Sequence, residues 1–136
     1  MTLIIDSFAW IEYLAGGRLG TLVRSHLESP ETMVTPDIVL AELARRFYRD
    51  GGTAVESVRR LTAVSTLSRI APIDVGVALE VGVADRDLRA RARVRRLSQP
   101  SFADSILLAF ARFGSMRVLT GDPHFEGLPE TLWLGG

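Results

Sequence analysis

Four carboxylates stand where a fold can gather them: Asp6, Glu42, Asp104 and Asp122. Asp6 closes the apolar run LIID at 3–6, and Asp122 lies one glycine beyond MRVLT at 116–120. Open parallel sheets hold their ligands beyond the carboxyl ends of the strands. Two acids so placed reach one rim if their strands are neighbours. Glu42 sits mid-helix in DIVLAELARRF, and Asp104 heads SFADSILLAFA at 101–111. Acids around one cavity repel each other, and such a cluster persists only with raised pKa values or bound cations. Oxygen ligands without sulfur or paired imidazoles suit magnesium or manganese rather than zinc. Divalent ions held by carboxylates suit phosphoryl chemistry. The residue types therefore point to a metal-dependent phosphodiesterase.

Each acid also has an ordinary use. Ser101 and Asp104 have the S-x-x-D spacing of a helix start, in which both side chains cap. Yet Leu107, Leu108 and Ala111 share the Asp104 face, which turns that acid inward, where an unpaired carboxylate is expensive. Asp122 before Pro123 suits a turn. Glu42 can pair with Arg45 or Arg46 across one helical turn, or point into the same rim.

Composition narrows the classes. The chain has 136 residues, enough for one domain with a substantial core, and 47% of them are hydrophobic. Cysteine is absent, which excludes disulfides, thiol catalysis and thiolate–zinc sites. Lysine is absent too, so all 16 basic residues are arginine. That argues against a P-loop and against Schiff-base chemistry. The 16 acids balance the bases. The arginines are nevertheless clustered: RDLRARARVRR at 86–96 holds six, and 45–60 adds Arg45, Arg46, Arg49, Arg59 and Arg60. A neutral chain with basic patches can hold a polyanion locally, and Arg91, Arg93 and Arg95 are the candidates for phosphate contact. No secretory leader pattern follows Met1, and no apolar run approaches membrane-spanning length, so a cytoplasmic protein is expected.

Short apolar runs at 3–6, 32–35, 68–72, 116–120 and 131–134 read as strands. The segments between them carry helical spacing. Ser7 is placed to cap the first helix, which Gly16-Gly17 closes, and a second covers 19–28. Thr35-Pro36 reads as an N-cap with proline at the first helical position, opening a helix through Tyr48. Val55, Val58, Leu61 and Val64 form one stripe in 53–67. A further helix runs from Val75 to Arg89 or on to Arg96. Strands alternating with helices imply a mainly parallel sheet covered on both faces.

LIIDSFAWIEYL at 3–14, VTPDIVLAELAR at 34–45, SFADSILLAFAR at 101–112 and VLTGDPHF at 118–125 together resemble the PIN-domain ribonucleases, specifically the VapC toxins of type II toxin–antitoxin pairs. The resemblance implies a three-layer α/β sandwich. Its central, mainly parallel sheet has four to five short strands flanked by helices, in a single domain over 1–136. It implies an acidic pocket of Asp6, Glu42, Asp104 and Asp122 that binds Mg2+ or Mn2+ and hydrolyses RNA to 5′-phosphate and 3′-hydroxyl ends. Thr120 matches a hydroxyl that fixes water or orients a carboxylate, and Ser7 a small polar position. His124 stands where many relatives carry a further acid. It can ligate a metal or bind phosphate, but it does not supply the same charge. One ion in the free protein, with a second arriving with RNA, is the expectation. A homodimer and a VapB-type antitoxin are the implied partners, with Trp10 assigned to the core. The alternatives are a PIN nuclease in RNA processing and a non-catalytic RNA-binding protein.

Overall fold

The computed structural model describes residues 1–135. The apolar runs form five strands: β1 (Thr2–Ile5), β2 (Thr32–Pro36), β3 (Arg69–Ala71), β4 (Arg117–Thr120) and β5 (Thr131–Trp133). They lie in the order β3-β2-β1-β4-β5, and every neighbouring pair is parallel. β1 is central, with Ile4 opposite Val34 on one side and Val118 on the other. Leu3, Ile4 and Ile5 are all fully buried, as a strand covered on both faces requires.

Six helices make the covering layers: α1 (Ser7–Ala15), α2 (Gly20–Leu27), α3 (Asp37–Arg49), α4 (Ala54–Leu67), α5 (Val75–Val94) and α6 (Phe102–Gly114). The chain steps outward from β1 to β2 to β3, then returns past β1 to β4. Parallel crossovers are right-handed, so α1–α4 cover one face while α5 and α6 cover the other. The reversal falls between β1 and β4, and ligand crevices open at such a point. α6 is buried all round from Ser105 to Ala111, which marks a helix enclosed by its neighbours.

Three local expectations give way. Ser7 does not cap α1; Asp6 does, accepting from the Ala9 amide. Thr35 does not cap α3. It is fully buried in β2, where Trp10 Nε1 donates to its Oγ1 at 3.0 Å and Ser68 Oγ lies 2.7 Å away. A hydroxyl engaged twice inside the fold has nothing left for a helix end. In α4, Val64 is buried but Val55 and Val58 are exposed, because the layer meets the sheet at one end of the stripe. Trp10 is core, with no exposed surface. α5 takes the longer of its two read extents. Among the described residues, no helix is long and apolar enough to cross a membrane.

Candidate metal centre

β1 and β4 end side by side, and the site grows from their ends. Asp6 follows β1 and is almost entirely buried, with Oδ1 accepting from the Ala9 amide at 2.8 Å. Thr120 ends β4 next to it. The Thr120 hydroxyl lies close enough to the Asp6 carboxylate to favour its anion, and Oγ1 accepts from the Asp122 amide at 2.9 Å. One hydroxyl thus links the two strand-end acids. Gly121 between them lies against the Phe8 ring, which a side chain at this position would strike. Glycine therefore lets β4 turn toward the site so close to α1.

Asp122 caps a single 3-10 turn at Pro123–Phe125. Its Oδ1 accepts from the His124 amide at 2.9 Å and lies 2.8 Å from His124 Nδ1. His124 Nε2 lies 2.8 Å from the Ser98 carbonyl. Both neighbours are acceptors, so satisfying both contacts requires a proton on each ring nitrogen. Asp104 enters from α6 in a full capping box with Ser101. Glu42 enters from α3, with the Ser7 hydroxyl close enough to favour its anion. The seven site residues singled out from the sequence therefore gather near the ends of β1 and β4, with Asp104 and Asp122 close enough to repel both Asp6 and Glu42. They are not equivalent there. Side-chain atoms of Asp104, Asp122 and His124 lie within 4.8 Å of one another, and the two carboxylates span a distance one cation can bridge. Asp6 and Glu42 stand around that group.

The electrostatics describe a crowded anionic cavity. Burial, with Asp122 and Asp104 adding repulsion, pushes the Asp6 carboxyl up to about 7 despite its hydrogen bonds. Burial raises Asp104 as well, opposed by the Ser101 amide and reinforced by Asp122. Glu42 is raised by burial and then by Asp104, with Arg45 and Ser7 pulling the other way. Burial disfavours the His124 cation, but the Ser98 carbonyl and the Asp122 carboxylate outweigh it and hold the ring above its usual pKa.

The residues fit a divalent cation. Glu42 Oε1 is buried without a hydrogen-bond partner, and an orphan acceptor of that kind is costly unless a ligand takes it. Carboxylate oxygens suit magnesium or manganese.

Arg91 and Arg95 have a role the sequence did not indicate. Arg91 Nη2 donates to the Glu126 carbonyl at 2.6 Å. Arg95 Nη1 donates to the Glu126 and Pro123 carbonyls at 2.9 and 3.1 Å, and Nη2 meets Glu126 Oε2 at 3.1 Å. These two side chains clamp the turn that carries Asp122 and His124, so the expectation that they reach out to phosphate is corrected. Their four-residue spacing puts them on one helix face. A basic run alone does not say which way that face looks.

The sequence profile of the PIN domain matches residues 3–130, and the chain belongs to the PIN-domain family. Its fold is that of solved toxin–antitoxin proteins. A toxin–antitoxin complex from Klebsiella pneumoniae superposes with a TM-score of 0.74 at 15% identity, covering 97% of each chain. VapBC2 from Rickettsia felis, bound to a DNA fragment from its promoter, gives 0.70 at 14% identity over 98% of this chain and 97% of that one. The Sarcin-Ricin loop cleaving toxin VapC20 of Mycobacterium tuberculosis gives 0.66 at 19% identity over 94% and 95%. No curated protein sequence matches the chain.

Proposed function

We propose that this protein is a divalent-metal-dependent endoribonuclease of the VapC type, the toxin of a toxin–antitoxin pair. The convergence of Asp104 and Asp122 carboxylate oxygens within 4.8 Å of each other, at the switch point of a PIN-domain sheet, carries this reading. Asp104, Asp122, Asp6 and Glu42 would hold Mg2+ or Mn2+, with His124 beside them. Such an ion acidifies water and offsets charge developing on a phosphate. The chain's own groups prepare the place. Thr120 fixes the Asp122 backbone beside Asp6, Ser7 lies against Glu42, and His124 fixes one oxygen of Asp122. Asp6, with its pKa near 7, can hold a proton at neutral pH while the cavity has no counter-charge. RNA cleavage with Mn2+ tests the reading, comparing wild type with Asp6→Asn and Asp104→Asn. Equal cleavage by all three would show the pocket to be misassigned. RNA binding without cleavage under varied divalent ions would favour a non-catalytic role.

Two partners belong to this reading. A VapB-type antitoxin would bind near the carboxylates, and a neighbouring gene for a small DNA-binding protein is the direct check. A second copy of the chain fits α5. Val75, Ala78, Leu79, Gly82 and Val83 form an exposed, uncharged stripe at helical contact spacing. An antiparallel copy would set Ala78 opposite Gly82 and Asp74 opposite Arg86.

A further inference from the structure

Phe102 is 70% exposed although it stands two residues before Asp104. It lines a cleft of about 360 Å3 with Ile38, Ala41, Glu42 and Arg45. A second cleft, lined by Ser7, Glu42, Arg45 and Arg49 among others, shares Glu42 and Arg45 with the first. The two form one path: an aromatic face, then the edge of the carboxylate cluster at Glu42, then guanidinium groups along α3. Arg46 is paired with Asp50 at 2.9 Å. Arg45 and Arg49 are exposed and make no side-chain hydrogen bond or ion pair among the described residues.

That order of chemistries matches a nucleotide chain. An aromatic ring stacks an unpaired base, and arginines take the phosphates that follow. A base inside a duplex cannot lie flat on such a ring. A basic peptide drawn to the carboxylates would meet Arg45 and Arg49 as like charges, so the path favours a polyanion. We propose that Phe102 and Arg45 form a nucleotide subsite beside the carboxylates. Phe102 stacks an unpaired base, and Arg45 and then Arg49 hold the adjoining phosphates. The inference rests on the ribonuclease reading and adds to it the residues that hold the nucleotide chain beside the carboxylates.

The test uses the full chain carrying Asp6→Asn, which keeps RNA intact, and a short fluorescein-labelled single-stranded RNA of mixed sequence with its blunt duplex. Anisotropy gives the affinities. Phe102→Ala should weaken single-strand binding roughly 5- to 100-fold, the loss expected for one base stack, and leave duplex binding unchanged. Phe102→Trp should restore affinity, with the added indole emission quenched by RNA. Arg45→Gln should weaken binding and lower the salt slope by about one. The subsite is overturned if Phe102→Ala binds single strands like its parent or weakens single strand and duplex alike. It is also overturned if Phe102→Ala spares RNA but weakens binding of a purified protein partner. Cleavage by the chain with Asp6 intact separates the two readings. Mn2+-dependent cutting without Phe102 dependence leaves the ribonuclease and removes the subsite. Phe102-dependent binding without any cutting does the reverse.

Discussion

Ser101 and Asp104 hold each other at the start of α6: the Ser101 amide donates to Asp104 Oδ2 at 2.9 Å, and the Asp104 amide donates to Ser101 Oγ at 3.1 Å. The capping duty falls on one oxygen. Oδ1 makes no hydrogen bond among the described residues and is left for a ligand. Capping and chemistry, alternatives when read along the sequence, are divided between two atoms of one carboxylate.

Substitution can separate the two duties. Ser101→Ala removes a side-chain cap and should cost about 1 kcal/mol of stability, while cleavage stays close to wild type once the protein is folded. Asp104→Asn keeps a capping side chain but loses the charge. It should abolish cleavage with little change in melting temperature. Thermal melts beside cleavage rates check both, and an inactive but stable Ser101→Ala would break the assignment.

Much of this site was legible because its logic is local to strand ends. Asp6 and Asp122 each follow an apolar run, and a parallel sheet brings such residues to one edge. What the sequence could not carry was direction. Thr35 reads as a cap by its place before Pro36, yet Trp10, 25 residues away in sequence, takes its hydroxyl. Arg91 and Arg95 read as solvent-facing charge, yet they hold backbone carbonyls of the 123–126 segment. Val55 and Val58 fit an apolar stripe, yet both are largely exposed. For Thr35 and the two arginines the deciding partner comes from a distant element, and local spacing contains no record of it.

Acid groups whose pKa is raised by folding reverse the usual trend of stability with pH. The folded metal-free protein keeps the Asp6 proton up to about pH 7, whereas the unfolded chain releases it near 3.8. The folded state therefore binds more protons in that window, and stability falls as pH rises through it. Glu31, Asp85 and Asp87 are shifted down and contribute the opposite trend at lower pH. The expected signature is a melting temperature in chelator that declines from about pH 5 to 7. Asp6→Asn should flatten that decline and raise the melting temperature at pH 8 while losing activity. Mn2+ at a hundredfold excess over its Kd should add about 2.7 kcal/mol to wild type.

His124 bears on how many ions the free protein holds. Both ring nitrogens are already against acceptors, Asp122 Oδ1 and the Ser98 carbonyl, so the ring offers no unengaged lone pair. Calorimetric titration of Mn2+ should find one tight site without RNA. His124→Asp restores a carboxylate at this position and should reveal a second, weaker site. Two tight sites in the unsubstituted protein would refute the one-ion state.

The Arg95 clamp predicts a loss of rate without a loss of phosphate contact. Arg95→Gln frees the Pro123 carbonyl, leaves the Glu126 carbonyl to Arg91 alone, and lets the 123–125 turn shift Asp122. Cleavage should fall roughly 10-fold, in line with losing a residue that orients a metal ligand, and the salt slope of RNA binding should not change. Arg95→Lys should rescue poorly, because a single ammonium group cannot reproduce the forked contact. A reduced salt slope in Arg95→Gln would return this side chain to the RNA surface.

The α5 stripe makes a prediction about assembly. Leu79 is 78% exposed, and a leucine so placed at the middle of an uncharged helical face gains by being covered. Gly82, one turn on, has open space around its Cα and Ala78 precedes it by four, so a second helix can approach closely. Leu79→Arg places a charge at the centre of that contact. If two copies pair here antiparallel, the two substituted residues face each other near the axis, and the dimer should dissociate while each chain stays folded. Analytical ultracentrifugation reads the mass and circular dichroism reads the fold. The flanking charges supply a second check. Asp74→Arg should weaken the dimer by setting it against Arg86, and adding Arg86→Asp to the same chain should recover it. A dimer indifferent to Leu79→Arg would place the contact elsewhere on the molecule.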